Sequence, residues 1–400
     1  SDINDEDFIL CEIGGTVGDI ESLPFIEAIR QLGNELGLSQ TCFLHVTLLP
    51  YIKTAGELKT KPTQHSVKTL LESGIQPDIL VCRTEHPLNS DLKKKIARFC
   101  NVEKEAVIES MDASTIYEVP LLMQKEGLDK VVLRKLGIVN NTVIKLQKWC
   151  NFLEGLQNPK QKIKIGLVGK YVELQDAYKS ISEAIIHAGS KTLCEISVKW
   201  IHAEKINCSN VSEKLSRLEG VIVAPGFGDR GIEGKISAIK YLRENNIPFF
   251  GICLGMQSAV IEYARNVIGF KDANSTEMNK KTSYPVIDLM EKQKEIQIKG
   301  GTMRLGTYDC SLIKDSKSFL IYNKTNIKER HRHRYEFNNT YKSDFEKAGM
   351  IATGINKENN LVEIVEIPSH QWFVGVQFHP EYKSTVSNPH PLFVGFINAC

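Results

Sequence analysis

The chain has 400 residues, 42% of them apolar and 24% charged, which is typical of a soluble globular protein long enough for two domains. Its net charge of +2 excludes a general nucleic-acid-binding surface, and no apolar run approaches the roughly 18 residues of a membrane-spanning helix. The ten cysteines form no C-x-x-C pair, so the sequence indicates neither a zinc site nor a disulfide framework and fits a reducing cytoplasm.

A glycine-rich loop lies between a predicted strand at residues 8–13 and a predicted helix at residues 20–36. The backbone N–H groups of such a loop can bind phosphate, although no Gly-Lys-Ser/Thr follows, so this is not a Walker loop. Three acids, Glu12, Asp19 and Glu21, flank the loop. They suit either a magnesium ion that bridges phosphates or the binding of a ribose hydroxyl. They equally suit a tight turn whose acids are solvated.

A basic segment at residues 53–66 follows, with three lysines and four threonine or serine hydroxyls. Lysine supplies a point charge and the hydroxyls supply directional donors, which is typical of a polyphosphate-binding segment. An exposed basic loop is the alternative. Predicted strands and helices alternate around this segment, at residues 41–49, 67–73, 77–82, 92–99, 107–110 and 119–124. The alternation predicts a mostly parallel sheet.

A predicted helix at residues 131–153 is followed by a polar stretch, 154–162, that is typical of an interdomain linker. A second α/β domain then opens at residue 163 with another apolar run. Within it, a strand predicted at 220–223 leads into a glycine turn. The N–H of Gly226 in such a turn can help to form an oxyanion hole.

The apolar run at residues 247–252 predicts a buried strand, and a helical pattern begins after Gly255. Between them, Gly251-x-Cys253-x-Gly255 is a thiol version of the nucleophile elbow. The glycines allow a sharp turn that places Cys253 at the N-terminus of the helix, where the dipole and free N–H groups favour the thiolate. The amide of Leu254 would be the second oxyanion donor. A buried structural cysteine is the alternative.

A further strand, predicted at residues 373–378, ends at His379. Pro380 is expected to hold the chain extended, so that His379 and Glu381 point the same way. A carboxylate beside an imidazole fixes its tautomer and stabilises the imidazolium. Together with Cys253, these two residues are a candidate catalytic triad.

The elbow and the His379-Pro-Glu381 motif resemble those of class I glutamine amidotransferases. Four further motifs narrow the resemblance to the CTP synthase family: Glu12-x-Gly-Gly-Thr-Val-Gly-Asp19-Ile20-Glu21-Ser, Lys59-Thr-Lys-Pro-Thr-Gln64-His-Ser-Val, Asn274-Ser-Thr-Glu277 and His331-Arg-His-Arg334-Tyr-Glu. The similarity runs over essentially the whole chain in a consistent order. It implies an α/β fold of two domains with mostly parallel sheets. An incomplete P-loop-type amidoligase domain would occupy residues 1–153, and a flavodoxin-like class I glutamine amidotransferase domain would occupy residues 163–400.

The resemblance implies that glutamine is hydrolysed to release ammonia, which passes through the protein to the first domain. There ATP phosphorylates the 4-oxygen of UTP, and ammonia displaces the phosphate to give CTP. Cys253 would be the nucleophile, His379 the general base and acid, and Glu381 the residue that orients the histidine. The oxyanion would be held by the amides of Gly226 and Leu254. The family positions that hold glutamine are Gln257, Glu277 and Arg334.

The resemblance further implies that Glu12 is a ligand of the Mg²⁺ ion that accompanies ATP. The family positions that contact UTP or CTP are Asp19, Ile20, Glu21, Lys59, Gln64 and Lys95. GTP is an allosteric activator in the family, and Phe227 and Arg304 match loops implicated in its effect. Family members form tetramers and filaments, so a cytoplasmic homotetramer is expected, without nucleic-acid or membrane partners.

Two departures from the family pattern qualify these expectations. No Walker-like loop with a lysine for ATP is found, and both ends of the sequence resemble cut ends, so we expect a fragment that cannot make CTP by itself. Ala224-Pro225-Gly226 replaces the usual Pro-Gly-Gly, which keeps the oxyanion donor but reduces the flexibility of the loop. Two alternatives stay open: another glutamine amidotransferase, which makes GMP or an aromatic acid, and a non-catalytic assembly or regulatory subunit.

Overall fold

A computed structural model describes residues 8–37, 39–139, 144–289 and 303–400. The chain divides into two compact units, Ser1–Ile144 and Lys145–Cys400. This division precedes the predicted linker at 154–162, where the structure instead has the end of one helix and the start of a strand. In the described ranges, no helix combines the length and the apolar character that crossing a membrane requires.

The first unit contains a parallel sheet of three described strands in the order β1-β4-β5, and a small antiparallel pair, β2 and β3. Its strands are β1 (Leu44–Leu49), β2 (Tyr51–Ile52), β3 (Glu57–Leu58), β4 (Ile79–Thr84) and β5 (Val107–Met111). Its helices are α1 (Leu23–Leu36), α2 (Lys61–Glu72), α3 (Ser90–Cys100), α4 (Val119–Glu126) and α5 (Leu128–Lys135). The alternating order confirms the predicted α/β pattern.

Two predicted elements of this region were wrong. Residues 8–13 do not form a strand, and Phe8, Ile9 and Leu10 are exposed, because no described strand pairs with this segment. The single helix predicted at 131–153 is two helices, α5 and α6 (Gln147–Gln157), with residues 140–143 outside the described part of the chain. Apolar spacing alone did not predict that the helix ends near Gly137. The φ of this glycine is 67°, in the left-handed region that is common just after a helix end.

The second unit is built on a sheet of nine described strands in the order β13-β12-β15-β16-β17-β9-β8-β6-β7. Its first strands are β6 (Gln161–Gly169), β7 (Cys194–His202), β8 (Gly220–Val223) and β9 (Phe249–Ile252), followed by β10 (Asn274–Ser275), β11 (Pro285–Leu289), β12 (Arg304–Leu312), β13 (Asn326–His333), β14 (Tyr335–Phe337), β15 (Ile351–Asn356), β16 (Leu361–Glu366) and β17 (Phe373–Val376). After α6, its helices are α7 (Lys179–Thr192), α8 (Val211–Leu215), α9 (Ile232–Glu244), α10 (Leu254–Tyr263), α11 (Lys317–Tyr322), α12 (Lys342–Ala348) and α13 (Pro391–Ala399).

Helices cover both faces of this sheet, as expected for a parallel sheet whose strands are apolar throughout. Helices α9 and α10 pack in one core cluster, and α7 and α13 pack in another. The five strands from β17 to β7 are mutually parallel, and every residue of β8, β9 and β17 is buried.

The order of the central strands positions the candidate site. Strand β9 lies between β8 and β17, with Gly251 paired to Val223 on one side and to Gly375 on the other. Because parallel strands end at the same edge of a sheet, the segments that follow these three strands meet there. Those segments carry Gly226, Cys253 and His379.

Candidate active site

Cys253 occupies the sharp turn between β9 and α10. Its backbone has φ 52° and ψ −104°, a conformation that residues with a side chain rarely adopt and that clusters at functional sites. Its N–H donates to the carbonyl of Val376 in β17 at 2.7 Å, which fixes the turn to the neighbouring strand. The predicted nucleophile elbow is therefore formed.

The flanking glycines are required because the backbones approach closely. A Cβ atom on Gly255 would lie 2.1 Å from the carbonyl oxygen of Val223 in β8. A Cβ atom on Gly251 would lie 2.6 Å from the ring of Phe249 and 2.8 Å from the backbone of Gly255. The Gly-x-Cys-x-Gly spacing thus serves packing of the turn between strand and helix.

His379 and Glu381 form the predicted pair. Nδ1 of His379 and Oε1 of Glu381 are 2.7 Å apart, and each residue is 5% exposed. The ring of Tyr382 stacks on the imidazole with centroids 5.2 Å apart. The prediction of an extended backbone after His379 was wrong, because Pro380–Lys383 is a 3₁₀ helix. Its tight turn brings the carboxylate of Glu381 back towards the imidazole.

The imidazole of His379 faces Cys253 and is strongly polarised. Burial lowers the pKa of His379, but the negative charge of Cys253 and the carboxylate of Glu381 outweigh it and raise that pKa to about 11. Nε2 of His379 is buried without a hydrogen bond of regular geometry, although it interacts with the sulfur. The arrangement favours the imidazolium, so the histidine already carries the proton that a leaving group needs.

A second buried side chain contacts the same sulfur. Nε2 of Gln377 lies 3.6 Å from Sγ of Cys253, and Oε1 of Gln377 accepts from Nε2 of Gln257 at 3.1 Å. Nε2 of Gln257 also donates to the carbonyl of Tyr335 at 2.9 Å. The sequence prediction missed Gln377, although an amide inside the apolar run that leads to His379 was a visible signal.

The two predicted oxyanion donors are neighbours. Leu254 is the first residue of α10, where a helix N–H has no acceptor within the helix. A Cβ atom on Gly226 would lie 3.5 Å from the Leu254 side chain, so the turn after β8 approaches this helix end. Both amides therefore lie at the edge of the sheet where Cys253 is presented.

Lys235 supports the turn after β8 from within the protein. Its side chain is 1% exposed, and Nζ donates to the carbonyl of Ala224 at 2.7 Å. Burial lowers the pKa of Lys235 to about 7, although the negative charge of Cys253 acts in the opposite direction. Sequence reasoning missed this lysine, because nothing in the pattern Gly234-Lys235-Ile236 distinguishes it from a solvated one.

A cavity of about 320 Å³ opens beside the sulfur. Glu277 projects into it and accepts the N–H of Gly228 through Oε1 at 3.0 Å. Its lining residues include most of the predicted glutamine-binding residues together with Cys253 and Phe227: Gly226, Phe227, Cys253, Gln257, Glu277, Arg332, His333, Arg334 and Tyr335. The structure therefore brings these predicted residues to one place, and the lining includes the carboxylate of Glu277 and the guanidinium of Arg334.

The two residues predicted for GTP lie in different environments. Phe227 is 53% exposed at the rim of this cavity. Arg304 is 5% exposed and forms an ion pair with Glu363, with Nη1 and Oε1 2.7 Å apart, and a longer one with Glu336 at 3.6 Å. Arg304 thus acts in this structure as an internal counterion and not as a surface group.

His331, His333 and Glu363 are the one group of three potential metal ligands in the described ranges. The two imidazoles are hydrogen-bonded to each other at 2.8 Å, and burial lowers both of their pKa values, that of His333 to about 3. Burial raises the pKa of Glu363 to about 7, against the effect of Arg304. With neutral histidines and a guanidinium already on the carboxylate, this cluster needs no cation to balance its charge.

In the first unit, the residues predicted for UTP and for magnesium are at the surface. Glu12, Asp19, Ile20, Glu21 and Lys95 are exposed, and Lys59 and Gln64 are partly exposed. Oδ2 of Asp19 accepts the N–H of Thr16 at 3.0 Å and closes the glycine-rich loop. Gln64 lies in α2, not in a loop, and donates to Oγ1 of Thr60 at 3.0 Å.

Lys59 and Lys95 lie close enough to act on one carboxylate. The pKa of Glu57 is lowered, mainly by its hydrogen bond and ion pair with Lys59 and further by the charge of Lys95. The glycine-rich loop contacts α2, since a Cβ atom on Gly18 would lie 3.3 Å from Thr69. The charges of both lysines thus reach the Glu57 carboxylate, and the glycine-rich loop lies beside α2.

Comparisons with known proteins agree with this geometry. Residues 1–138 match the family described as CTP synthase N-terminus, and residues 173–399 match glutamine amidotransferase class-I. The chain is 62% identical to the CTP synthases of Christiangramia forsetii and Flavobacterium johnsoniae over 395 residues each, which is 99% of this chain and 72% and 74% of those proteins. The glutaminase domain of Trypanosoma brucei CTPS, solved with bound acivicin, is 37% identical, has a TM-score of 0.56, and matches 59% of this chain and 93% of that one.

The two CTP synthases match 99% of this chain and therefore cover both units. The chain belongs to the CTP synthase family.

Proposed function

We propose that this chain supplies the glutamine-hydrolysing and UTP-binding parts of a CTP synthase, a ligase that aminates UTP to CTP with ammonia from glutamine. The observation that carries the proposal is the convergence of Cys253, His379 and Glu381 beside a cavity of amino-acid size. The 2.7 Å pair between His379 and Glu381 gives the imidazole a fixed tautomer and orientation. Membership of the CTP synthase family supports the second half of the reaction.

In the first step, the thiolate of Cys253 attacks the side-chain amide carbon of glutamine. The electron pair of the carbonyl moves to oxygen, and the amides of Gly226 and Leu254 stabilise that oxyanion. The imidazolium of His379 then gives its proton to the amide nitrogen, the C–N bond breaks, and ammonia leaves. A glutamyl thioester remains on Cys253.

In the second step, His379 is neutral and acts as the base. It takes a proton from water, whose oxygen attacks the thioester carbon, and the sulfur leaves as thiolate with glutamate as product. Glu381 stabilises the imidazolium that forms again, so His379 ends the cycle protonated, as it began. The buried position of both residues strengthens this electrostatic effect.

The cavity suits the α-amino acid end of glutamine. Glu277 offers a carboxylate for the ammonium group, and Arg334 offers a guanidinium for the carboxylate, which it can bind through two parallel hydrogen bonds. Gln257 lines the cavity while its amide nitrogen is committed to Tyr335 and Gln377, so it orders the wall behind the substrate.

The first unit would bind UTP and release CTP. Lys59 and Lys95 supply positive charge for the phosphates, and Gln64, Asp19, Ile20 and Glu21 supply the remaining contacts. Glu12 fits as a single carboxylate ligand for Mg²⁺, since this ion keeps several waters and binds one or two carboxylates together with substrate phosphates. Bound Mg²⁺ would neutralise phosphate charge during transfer from ATP. GTP would activate the enzyme, with Phe227 exposed for that contact and Arg304 acting from its buried ion pair.

We further propose a cytoplasmic homotetramer that can form filaments, with all ten cysteines as free thiols. The 400 residues contain no Gly-Lys-Ser/Thr sequence for ATP, so we propose that they hydrolyse glutamine but do not make CTP when assayed alone.

The proposal is tested by ammonia release from glutamine, with Cys253→Ala as the test variant and Cys208→Ala, at an exposed cysteine of the same unit, as the control. Activity should vanish in the first and persist in the second, with the oligomer size unchanged in both. Hydrogen exchange of residues 53–66 should slow when UTP is added. Ammonia release by the Cys253→Ala variant would contradict the catalytic role, and no protection by UTP would favour a different amidotransferase.

A further inference from the structure

Gln377 is a buried polar residue beside the reacting sulfur, and the catalytic cycle described above does not use its side chain. It is 0% exposed and directly follows β17, with its N–H donating to the carbonyl of Glu363 at 2.8 Å. It is two residues before His379, and both side chains face Cys253. The sulfur therefore has both an amide and an imidazole as neighbours.

The hydrogen-bond pattern determines which end of the Gln377 amide faces the sulfur. The carbonyl of Tyr335 can only accept, so Gln257 must turn its NH₂ group towards it, at 2.9 Å. The second N–H of the same NH₂ group is directed at Gln377, at 3.1 Å, and needs an oxygen there. Rotating either amide would place two donors or two acceptors against each other.

With its oxygen committed to Gln257, Gln377 can present only N–H to Cys253. The distance from Nε2 to Sγ is 3.6 Å, within the range of a hydrogen bond to sulfur. A donor fixed in a buried site interacts more strongly with an anion than with a neutral thiol. The contact therefore favours the thiolate that attacks glutamine.

We propose that Gln377 is a further catalytic residue, whose side-chain N–H donates to the Cys253 sulfur and stabilises the thiolate. This deepens the proposed function and rests on Cys253 being the nucleophile. In the described part of the chain, His379 and Lys235 are charged groups whose pKa values respond to Cys253, and a substitution at position 377 alters neither of them.

The most selective substitution is Gln377→Glu, which keeps the shape and the oxygen that accepts from Gln257 but replaces the donor with an oxygen. Gln377→Met, which removes both polar groups, is the second variant. Gln371→Glu is the matched control, because the side chain of Gln371 is exposed and donates to the carbonyl of Ala399 at 2.6 Å. Circular dichroism and the urea midpoint establish that each variant is folded.

The readout is the rate of alkylation of Cys253 by iodoacetamide between pH 5 and pH 10, followed on the peptide that contains this cysteine. The midpoint of the profile should rise by about one pH unit in Gln377→Met and by more in Gln377→Glu, as expected for loss of a hydrogen bond to a charged group. The control should match the unaltered chain. Glutamine turnover should fall about tenfold or more in kcat, with a smaller change in KM.

Unchanged alkylation profiles in folded variants would overturn the proposal. If neither variant folds, the side-chain amide ¹H–¹⁵N resonance of Gln377 in the unaltered chain is the test. It should shift over the same pH range as alkylation of Cys253, and a resonance that does not respond would overturn the proposal as well. If the alkylation profiles of the variants shift as predicted but the unaltered chain hydrolyses no glutamine, the proposed function is refuted and this contact stands.

Discussion

The two units differ in how far the fold itself assembles the chemistry proposed for them. In the second unit, Cys253, His379 and Glu381 are 3%, 5% and 5% exposed, and strands or short bonds fix each one. In the first unit, the candidate UTP residues are solvated, and the Lys59 side chain is 44% exposed. Covalent catalysis needs reacting atoms in fixed geometry, whereas phosphate can be bound by long, mobile lysines at a surface.

The same contrast holds for the strands. The central strands β9 and β17 are buried along their whole length. In β1 the apolar side chains of Leu44, Val46 and Leu48 are 44%, 60% and 60% exposed, while His45 and Thr47 are buried. The second unit thus encloses its own core, and the first unit carries an apolar surface on β1 in the described part of the chain.

The largest effect that separates the units is expected from His379→Gln. Loss of the proton donor and acceptor should lower kcat for glutamine hydrolysis by about 10²–10⁴-fold, because general acid–base catalysis contributes that much. Binding of UTP, measured by calorimetry, should be unchanged. His65→Gln, at an exposed histidine in α2, is the control and should retain full glutamine hydrolysis. An equal fall in kcat for glutamine hydrolysis in both variants would contradict the assignment of His379 as the general acid and base.

A smaller but structural effect is expected from Gly255→Ala. The added Cβ atom would lie 2.1 Å from the carbonyl oxygen of Val223, so β8 or α10 must shift, at a cost of about 3 kcal/mol in the free energy of unfolding of the second unit. Urea unfolding measures it. Gly14→Ala, where a Cβ atom meets nothing within 4 Å, should leave stability almost unchanged. A stable Gly255→Ala chain would show that the elbow is less tightly packed than described.

The smallest effect is expected from Lys59→Ala. UTP affinity should fall about tenfold, since the lysine is partly exposed and water screens its charge. Glutamine hydrolysis should persist, because the triad lies in the other unit. Lys68→Ala, at an exposed lysine of α2 paired with Glu72 at 4.0 Å, is the control. Equal UTP affinity in the Lys59→Ala and Lys68→Ala chains would place the UTP site elsewhere.

The sequence predicted the parts of the site whose residues are close together in the chain. The apolar run before Gly251 predicted β9, and the two glycines around Cys253 predicted the turn that the structure forms. His379 and Glu381 are two residues apart, so their pairing needed no knowledge of the fold.

The rest depends on contacts between distant parts of the chain. Gln257 and Gln377 are 120 residues apart in sequence, so a single sequence gives no sign that their amides meet. Arg304 was matched to a loop implicated in the effect of GTP, but it begins β12 and pairs with Glu363 and Glu336 from other strands. The strand predicted at residues 8–13 has suitable apolar residues, and it fails because strand formation requires a neighbouring strand.

The most direct measurement of the central claim is the mass of the Cys253 peptide after glutamine turnover is stopped with acid. The mechanism predicts a glutamyl group on Cys253 that disappears when glutamine is exhausted and never forms in the Cys253→Ala chain. Glutamine hydrolysis without this adduct, or an adduct on another cysteine, would contradict it.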